Sequence, residues 1–274
     1  MFTPERQNTT IFGSALALSE LIYHNTVRSL RKTHANAFVG LLMSMLQSVI
    51  MVVAFVLLFS VLGMRGSAIR GDFLLYIMSG IFLFMTHIKA MSAVVGSEGP
   101  ASPMMQHLPM TTAVAIASAA LGALYNQVLG MLVILYIYHV AFTPVVIDDP
   151  VGAFLMFLLA WISGVGVGLV FLAIKPWAPS VTTIGSQIYS RANMIASGKM
   201  FVANMLPPSM LALFDWNPLF HAIDQARGFA FVNYFPNNTS IAYPVYVTIG
   251  LIMVGLMGEF YTRKHASLSW SARR

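Results

Sequence analysis

The stretch WNPLFHAIDQARGFAF, residues 216–231, sets an aspartate, an arginine and a histidine among apolar residues late in the chain. Asn217 suits a helix N-cap, because its side-chain oxygen can accept from the free amides of the first turn. Pro218 suits the first helical position, where its missing N–H is no loss. The pattern predicts a helix over 218–231. Asp224 and Arg227 are three residues apart, so they share a face and are able to pair. Phe220 lies on that face one turn earlier, and Leu219, Ile223 and Ala226 form the other side. Such a helix is too short and too charged to cross a bilayer, which takes about 20 apolar residues. It can dip into the membrane and return where its polar face is buried in protein or meets water. The stretch therefore reads as a re-entrant or interfacial helix. A lid or gate is its functional use; a passive interfacial helix is the plainer one.

Composition makes the bilayer the relevant solvent. The chain has 274 residues, 58% of them hydrophobic and only 9% charged, against about 25% charged in ordinary soluble domains. Mean hydropathy is +0.76. Apolar runs occupy about 37–62, 73–95, 112–142, 151–174 and 242–260. A weaker run at about 182–206 contains Arg191 and Lys199. Each is long enough to cross a hydrocarbon core of about 30 Å. The prediction is an all-α, polytopic membrane protein of six transmembrane helices forming a single domain over 1–274, with outer gate helices over about 207–231.

The net charge of +6 would suggest nucleic acid in a soluble protein. Here the basic residues flank apolar runs, so membrane topology accounts for most of them and no nucleic-acid partner is expected. With both ends cytoplasmic, the inner segments hold Arg6, Arg28, Arg31, Lys32, Lys175, Arg191, Arg263, Lys264, Arg273 and Arg274, and the outer ones only Arg65, Arg70 and Arg227. Before the first crossing, Leu16, Leu18, Leu21, Ile22 and Leu30 alternate with Glu20, His24, Arg28, Arg31 and Lys32. This predicts an amphipathic interfacial helix over about 14–34 lying on the inner membrane surface. Arg28, Arg31 and Lys32 serve there as a topology anchor on anionic membrane lipids, or as a docking surface for the head group of an anionic lipid-linked substrate.

The chain has no cysteine, so thiolate chemistry and Cys-based metal sites are excluded. SGKM at 197–200 lacks the loop and the Ser/Thr of a phosphate-binding P-loop. The seven histidines show no one-turn spacing of a metal pair. No metal and no cofactor are expected in this chain. Among polar groups inside the crossings, Lys89 reads as snorkelling and Asn126 and Gln127 as interhelical hydrogen-bonders. Lys199, placed near the middle of the fifth crossing, either faces a conduit and meets an anionic substrate there or has a structural role.

A basic amphipathic N-terminal helix, six crossings, a Pro207-Pro208 break and Asn217-Pro218-Leu219 followed by Arg227 together resemble the ABC-2 type permeases. Among these the chain is most similar to the capsular polysaccharide permeases of Gram-negative bacteria. Gly40 and Ser79-Gly80 agree with that pattern. Arg191 is followed by Ala192, where such permeases often carry Arg-Asp. The resemblance implies a homodimer in the bacterial inner membrane paired with two copies of a separate ABC-type ATPase, which binds ATP and magnesium. It also implies a coupling helix in the loop 96–110, with Glu98 and His107 facing the ATPase. The implied gate and substrate path involve Lys199, Asn217, Pro218, Phe220, Asp224 and Arg227. The substrate is a lipid-linked acidic glycan, and further partners are a periplasmic polysaccharide co-polymerase and an outer-membrane export protein. The alternatives are an ABC-2 exporter of O-antigen, teichoic acid or a small molecule, and a membrane-embedded glycosyl- or acyl-transferase using Asp215, His221 and Asp224.

Overall fold

The computed structural model describes residues 18–27, 37–61, 69, 71–97 and 112–265. Secondary structure among them is helical throughout: α1 (18–27), α2 (Ala37–Val61), α3 (Phe73–Val95), α4 (Thr112–Ala141), α5 (Pro150–Ile174), α6 (Pro179–Ala196), a 3-10 turn (Ala203–Met205), α7 (Pro208–Phe214), α8 (Pro218–Ala230) and α9 (Ala242–His265). Four of them, α3, α4, α5 and α9, are long and apolar enough to cross a membrane, and α2 carries the shorter apolar stretch Met45–Val61.

The bundle is built around α3, which is buried along nearly its whole length. Its N-terminus is fixed by Asp72, whose carboxylate accepts from the amides of Leu74 and Leu75 and from the hydroxyls of Tyr138 and Thr143. Burial opposes ionisation of Asp72, but these hydrogen bonds outweigh it and hold the carboxyl below its ordinary value. Asp149 caps α5 in the same manner, ahead of Pro150. On α2, Ser48, Val52, Phe55 and Phe59 make one inward stripe at helical spacing, while Leu42, Leu46, Ile50, Val53 and Leu57 face outward. That division suits a helix with protein on one side and lipid on the other.

Close packing of α5 against α3 and α9 depends on small residues. A Cβ on Gly164 would overlap the His87 carbonyl of α3, and one on Gly255 of α9 would lie 2.5 Å from Leu169 Cβ. The His87 side chain joins three helices: Nδ1 meets Ser163 Oγ at 2.9 Å and the Ala160 carbonyl at 3.1 Å, and Nε2 meets Tyr189 Oη of α6 at 2.8 Å. Lys89, expected to snorkel, bonds Gln47 Oε1 at 2.6 Å. At the N-terminal side, α1 docks on α4 through Ser118, whose hydroxyl donates to the Ile22 carbonyl. The remainder of the predicted 14–34 helix, with Arg28, Arg31 and Lys32, lies outside the described residues, as do Glu98 and His107 of the expected coupling loop.

The structure differs from the sequence reading at the predicted crossing over 182–206. That segment is not one helix. α6 starts at Pro179 and stops at Ala196, eleven residues before the Pro207-Pro208 pair expected to end it. Gly198 has φ +72°, a left-handed turn that side-chain-bearing residues rarely adopt. After it the chain folds back through the 3-10 turn, and Pro208 opens α7 instead of closing a crossing.

A pair of glycine substitutions tests the packing. Gly164→Ala is expected to lower stability by about 1–3 kcal/mol through overpacking. Gly250→Ala meets nothing within 4 Å and is expected to gain roughly 0.5–1 kcal/mol from helix propensity. Thermal unfolding of both variants in one detergent should show shifts of opposite sign.

Candidate functional site

The site is the segment that follows the end of α6. Its backbone, 197–203, is irregular, and it lies against α3. Gly80 marks the contact: a Cβ there would sit 2.7 Å from Arg227 Nη2 and from the Lys199 carbonyl. Gly80 is eight residues past Asp72, about 12 Å along a helix rising 1.5 Å per residue. Phe84, which meets the Lys199 side chain, is about 18 Å along. The segment thus meets α3 near the middle of a helix long enough to cross a hydrocarbon core of about 30 Å. Irregular backbone at that depth requires protein partners for its peptide groups.

Arg227 supplies them on one side. Nη1 donates to the carbonyls of Gly198 (2.9 Å) and Phe201 (2.6 Å), and Nη2 to that of Lys199 (2.7 Å). The guanidinium lies 4.4 Å over the Tyr76 ring and is fully buried. Asp224 supplies the other side. Its Oδ1 accepts from the Ala203 amide (3.2 Å) and Tyr234 Oη (2.5 Å), and its Oδ2 from Thr239 Oγ1 (2.9 Å). Burial, and then the neighbouring Asp224 charge, push the Tyr234 phenol well above its ordinary range. Asp224 and Arg227 therefore do not pair with each other, as their spacing allowed. Each binds the chain around the break, because unpartnered peptide groups there cost more than an ion pair would return.

Asn217 closes a third side. Its Oδ1 caps α8 by accepting from the Leu219 amide, while its amide donates to Asn193 Oδ1 and the Ala196 carbonyl at the end of α6. Pro218 occupies the first turn of α8. Phe220 packs its ring where a Gly198 side chain would be, 2.5 Å from an added Cβ, so that glycine is required by both conformation and space. Phe201 and Phe214 complete an aromatic cluster with it. α8 is buried from Pro218 to Arg227, rather than exposing one face as an interfacial helix would.

Lys199, expected near the middle of the fifth crossing, instead lies past the end of α6. Its ammonium sits 3.7 Å over the Phe84 ring and 4.8 Å from the Phe55 ring. It is 2% exposed and without a hydrogen-bond partner. His221 links this block to the start of α9: Nδ1 accepts from the Ser240 amide, so the proton is on Nε2, which donates to the Asp215 carbonyl at 2.7 Å. Both nitrogens of His221 and both carboxylate oxygens of Asp224 are thus engaged in holding the fold.

The structure brings Lys199, Asn217, Pro218, Phe220, Asp224 and Arg227 into one buried block. Sequence reasoning missed Tyr76, Phe55 and Phe84, which receive the two cations, and Asn193, Tyr234 and Thr239. A small residue among the bulky ones of α3, Gly80, was the available signal for the first group.

The described residues form a helical bundle with four helices long and apolar enough to cross a membrane, which fits a membrane-embedded transport protein. The model of the ABC-2 type transporter family matches residues 20–231, most of the chain including this block, and the chain belongs to that family. Members normally pair with an ABC ATPase. A comparison with curated proteins finds no match.

Arg227→Lys is expected to free the carbonyls of Gly198, Lys199 and Phe201, since one ammonium cannot replace the planar fork. Hydrogen exchange at 197–202 should speed up, with a stability loss of about 2–4 kcal/mol for the abandoned carbonyls. Asp224→Asn should instead loosen Ala203 and 234–239. Unchanged exchange at 197–202 in Arg227→Lys would contradict the assignment.

Proposed function

We propose that this permease is the transmembrane subunit of an ATP-driven exporter that moves lipid-linked acidic capsular polysaccharide across the bacterial inner membrane. In this reading two copies of the chain form the path and two ATPase subunits, holding ATP and magnesium, bind below. Both termini are cytoplasmic, and the loop containing Glu98 and His107 transmits ATP-driven closure. Arg28, Arg31 and Lys32 receive the lipid-linked head group. The block of α7 and α8 is the outer gate. A periplasmic co-polymerase and an outer-membrane export protein continue the route.

Lys199 is the observation that carries the acidic-substrate part. A buried ammonium without a hydrogen-bond partner is costly inside a membrane and marks a substrate or ion pathway by default. Aromatic faces hold it with about 2 kcal/mol when desolvated. Its flexible stem can leave those faces when the gate shifts, and a carboxylate or phosphate then offers a better partner. ATP binding need only favour the shifted arrangement to populate it. The same observation also fits a teichoic-acid or O-antigen exporter, whose cargo is likewise anionic.

Gentle purification of the tagged chain from its host, with crosslinking in intact membranes, should recover a P-loop ATPase near one-to-one. Recovery of the chain with no ATPase would refute the exporter reading. For the substrate, Lys199→Ala is expected to reduce export of an acidic glycan by about tenfold, the equivalent of a lost charge-assisted contact of ~1.4 kcal/mol, with Lys199→Arg retaining most of it. Normal export by Lys199→Ala would remove the role given to this residue.

A further inference from the structure

A second feature lies away from the gate block, at the opposite end of the bundle. Between α5 and α9 an apolar cleft of about 370 Å³ opens along the two helices, at the small end of the roughly 300–1,000 Å³ typical of ligand sites. Its floor is the contact of Ala173 with Gly258, where an added Cβ on the glycine would come within 2.8 Å of the alanine Cβ. Val254 is one shoulder and Tyr261 the other. Trp177 forms the end wall. Its indole is held by Nε1–H donation to Thr262 Oγ1 at 2.9 Å and by stacking on Tyr261, with ring centroids 6.0 Å apart.

Among the described residues, one free cation stands beside the mouth of the cleft. The last turn of α9 carries Arg263, Lys264 and His265, all exposed; Arg263 lies over the Phe260 ring, on the side of α9 away from the cleft, which leaves Lys264 one turn past Tyr261. His265 stacks on Tyr261 at 4.1 Å, so the basic turn adjoins the aromatic end of the cleft. The acid of this helix does not neutralise it. Glu259 is 8% exposed and accepts from Thr112 Oγ1 of α4, at the back of α9. Lys175 is engaged by the Val95 carbonyl.

We propose that this cleft binds one acyl chain of an anionic glycerophospholipid of the surrounding bilayer, with its phosphate at Lys264. The walls offer almost nothing for a polar ligand to bond, whereas a straight hydrocarbon chain fills a slot between two membrane-crossing helices. Trp and Tyr at one end are the side chains that favour the membrane–water interface. Basic residues beside that interface select anionic over zwitterionic head groups. The leaflet, inner, rests on the topology in the proposed function; the binding itself does not.

The test uses the full chain with Trp161, Trp216 and Trp270 changed to Phe, leaving Trp177 as the only one of the four tryptophans. The protein is reconstituted in phosphatidylcholine vesicles containing rising fractions of dibrominated phosphatidylglycerol, and separately of dibrominated phosphatidylcholine. Bromine quenches an indole it touches. Phosphatidylglycerol should quench Trp177 with about fivefold preference. K264Q, an exposed position, should abolish the preference while keeping the maximum quench. Ala173→Leu, which fills the floor, should lower the maximum for both lipids. Equal quenching by the two lipids in the parent chain, a preference that survives K264Q, or no quenching at all would overturn the proposal. The assay needs neither transport nor an ATPase, so its failure is separate from failure of the exporter reading.

Discussion

The contact on which this structure depends is one guanidinium laid across three backbone carbonyls. α6 ends inside the bundle, and a helix end in a membrane leaves carbonyls that water cannot reach. Arg227 answers the carbonyls of Gly198, Lys199 and Phe201 together. A planar fork with several donors does this at a single stroke, which a point charge cannot. Its position beyond the C-terminus of α6 also places positive charge where the helix dipole is negative. The Tyr76 face below completes the setting without adding an opposing ion. Asp224 treats the return of the chain in the complementary way, using acceptors where Arg227 uses donors.

That division explains why the sequence was easier to read in some places than in others. The helices α3, α4, α5 and α9 follow apolar runs that no other arrangement could hide, so hydropathy finds them. The caps at Asn217 and Pro218 are local chemistry and need no tertiary knowledge. The end of α6 is different. Its hydropathy continues past Ala196, and a proline pair further on looks like the stronger stop. The real stop is set by Gly198, whose left-handed turn makes sense only once Phe220 and Arg227 are packed around it. The Asp224–Arg227 spacing likewise suggested an ion pair. Tertiary partners won because peptide groups at that depth had no others.

Lys199 was legible as an unusual residue and not as a position. Its carbonyl is held by Arg227 while its own ammonium turns to Phe84 of α3 and Phe55 of α2. A sequence can flag a lysine in an apolar run, but the rings that receive it are 115 and 144 residues away in the chain. Only the close approach allowed by Gly80 brings the segment near enough for both cations to find aromatic faces.

These contacts differ in how they tolerate movement. Within the block the links are directional hydrogen bonds between buried groups, which weaken steeply as angles change. From the block to α2 and α3 the cations rest on ring faces, Lys199 on Phe84 and Phe55 and Arg227 on Tyr76. A ring face attracts a cation over a broad area, within about 6 Å of its centre. An ångström of sliding along such a face therefore costs less than the same shift across Asp224 and its partners. α6 is joined to the block at Asn193–Asn217 and to the bundle at Tyr189–His87, so displacement of the block pulls on α6 as well. The fold thus concentrates its stiffness inside the block and its compliance at the surface between that block and α2 and α3.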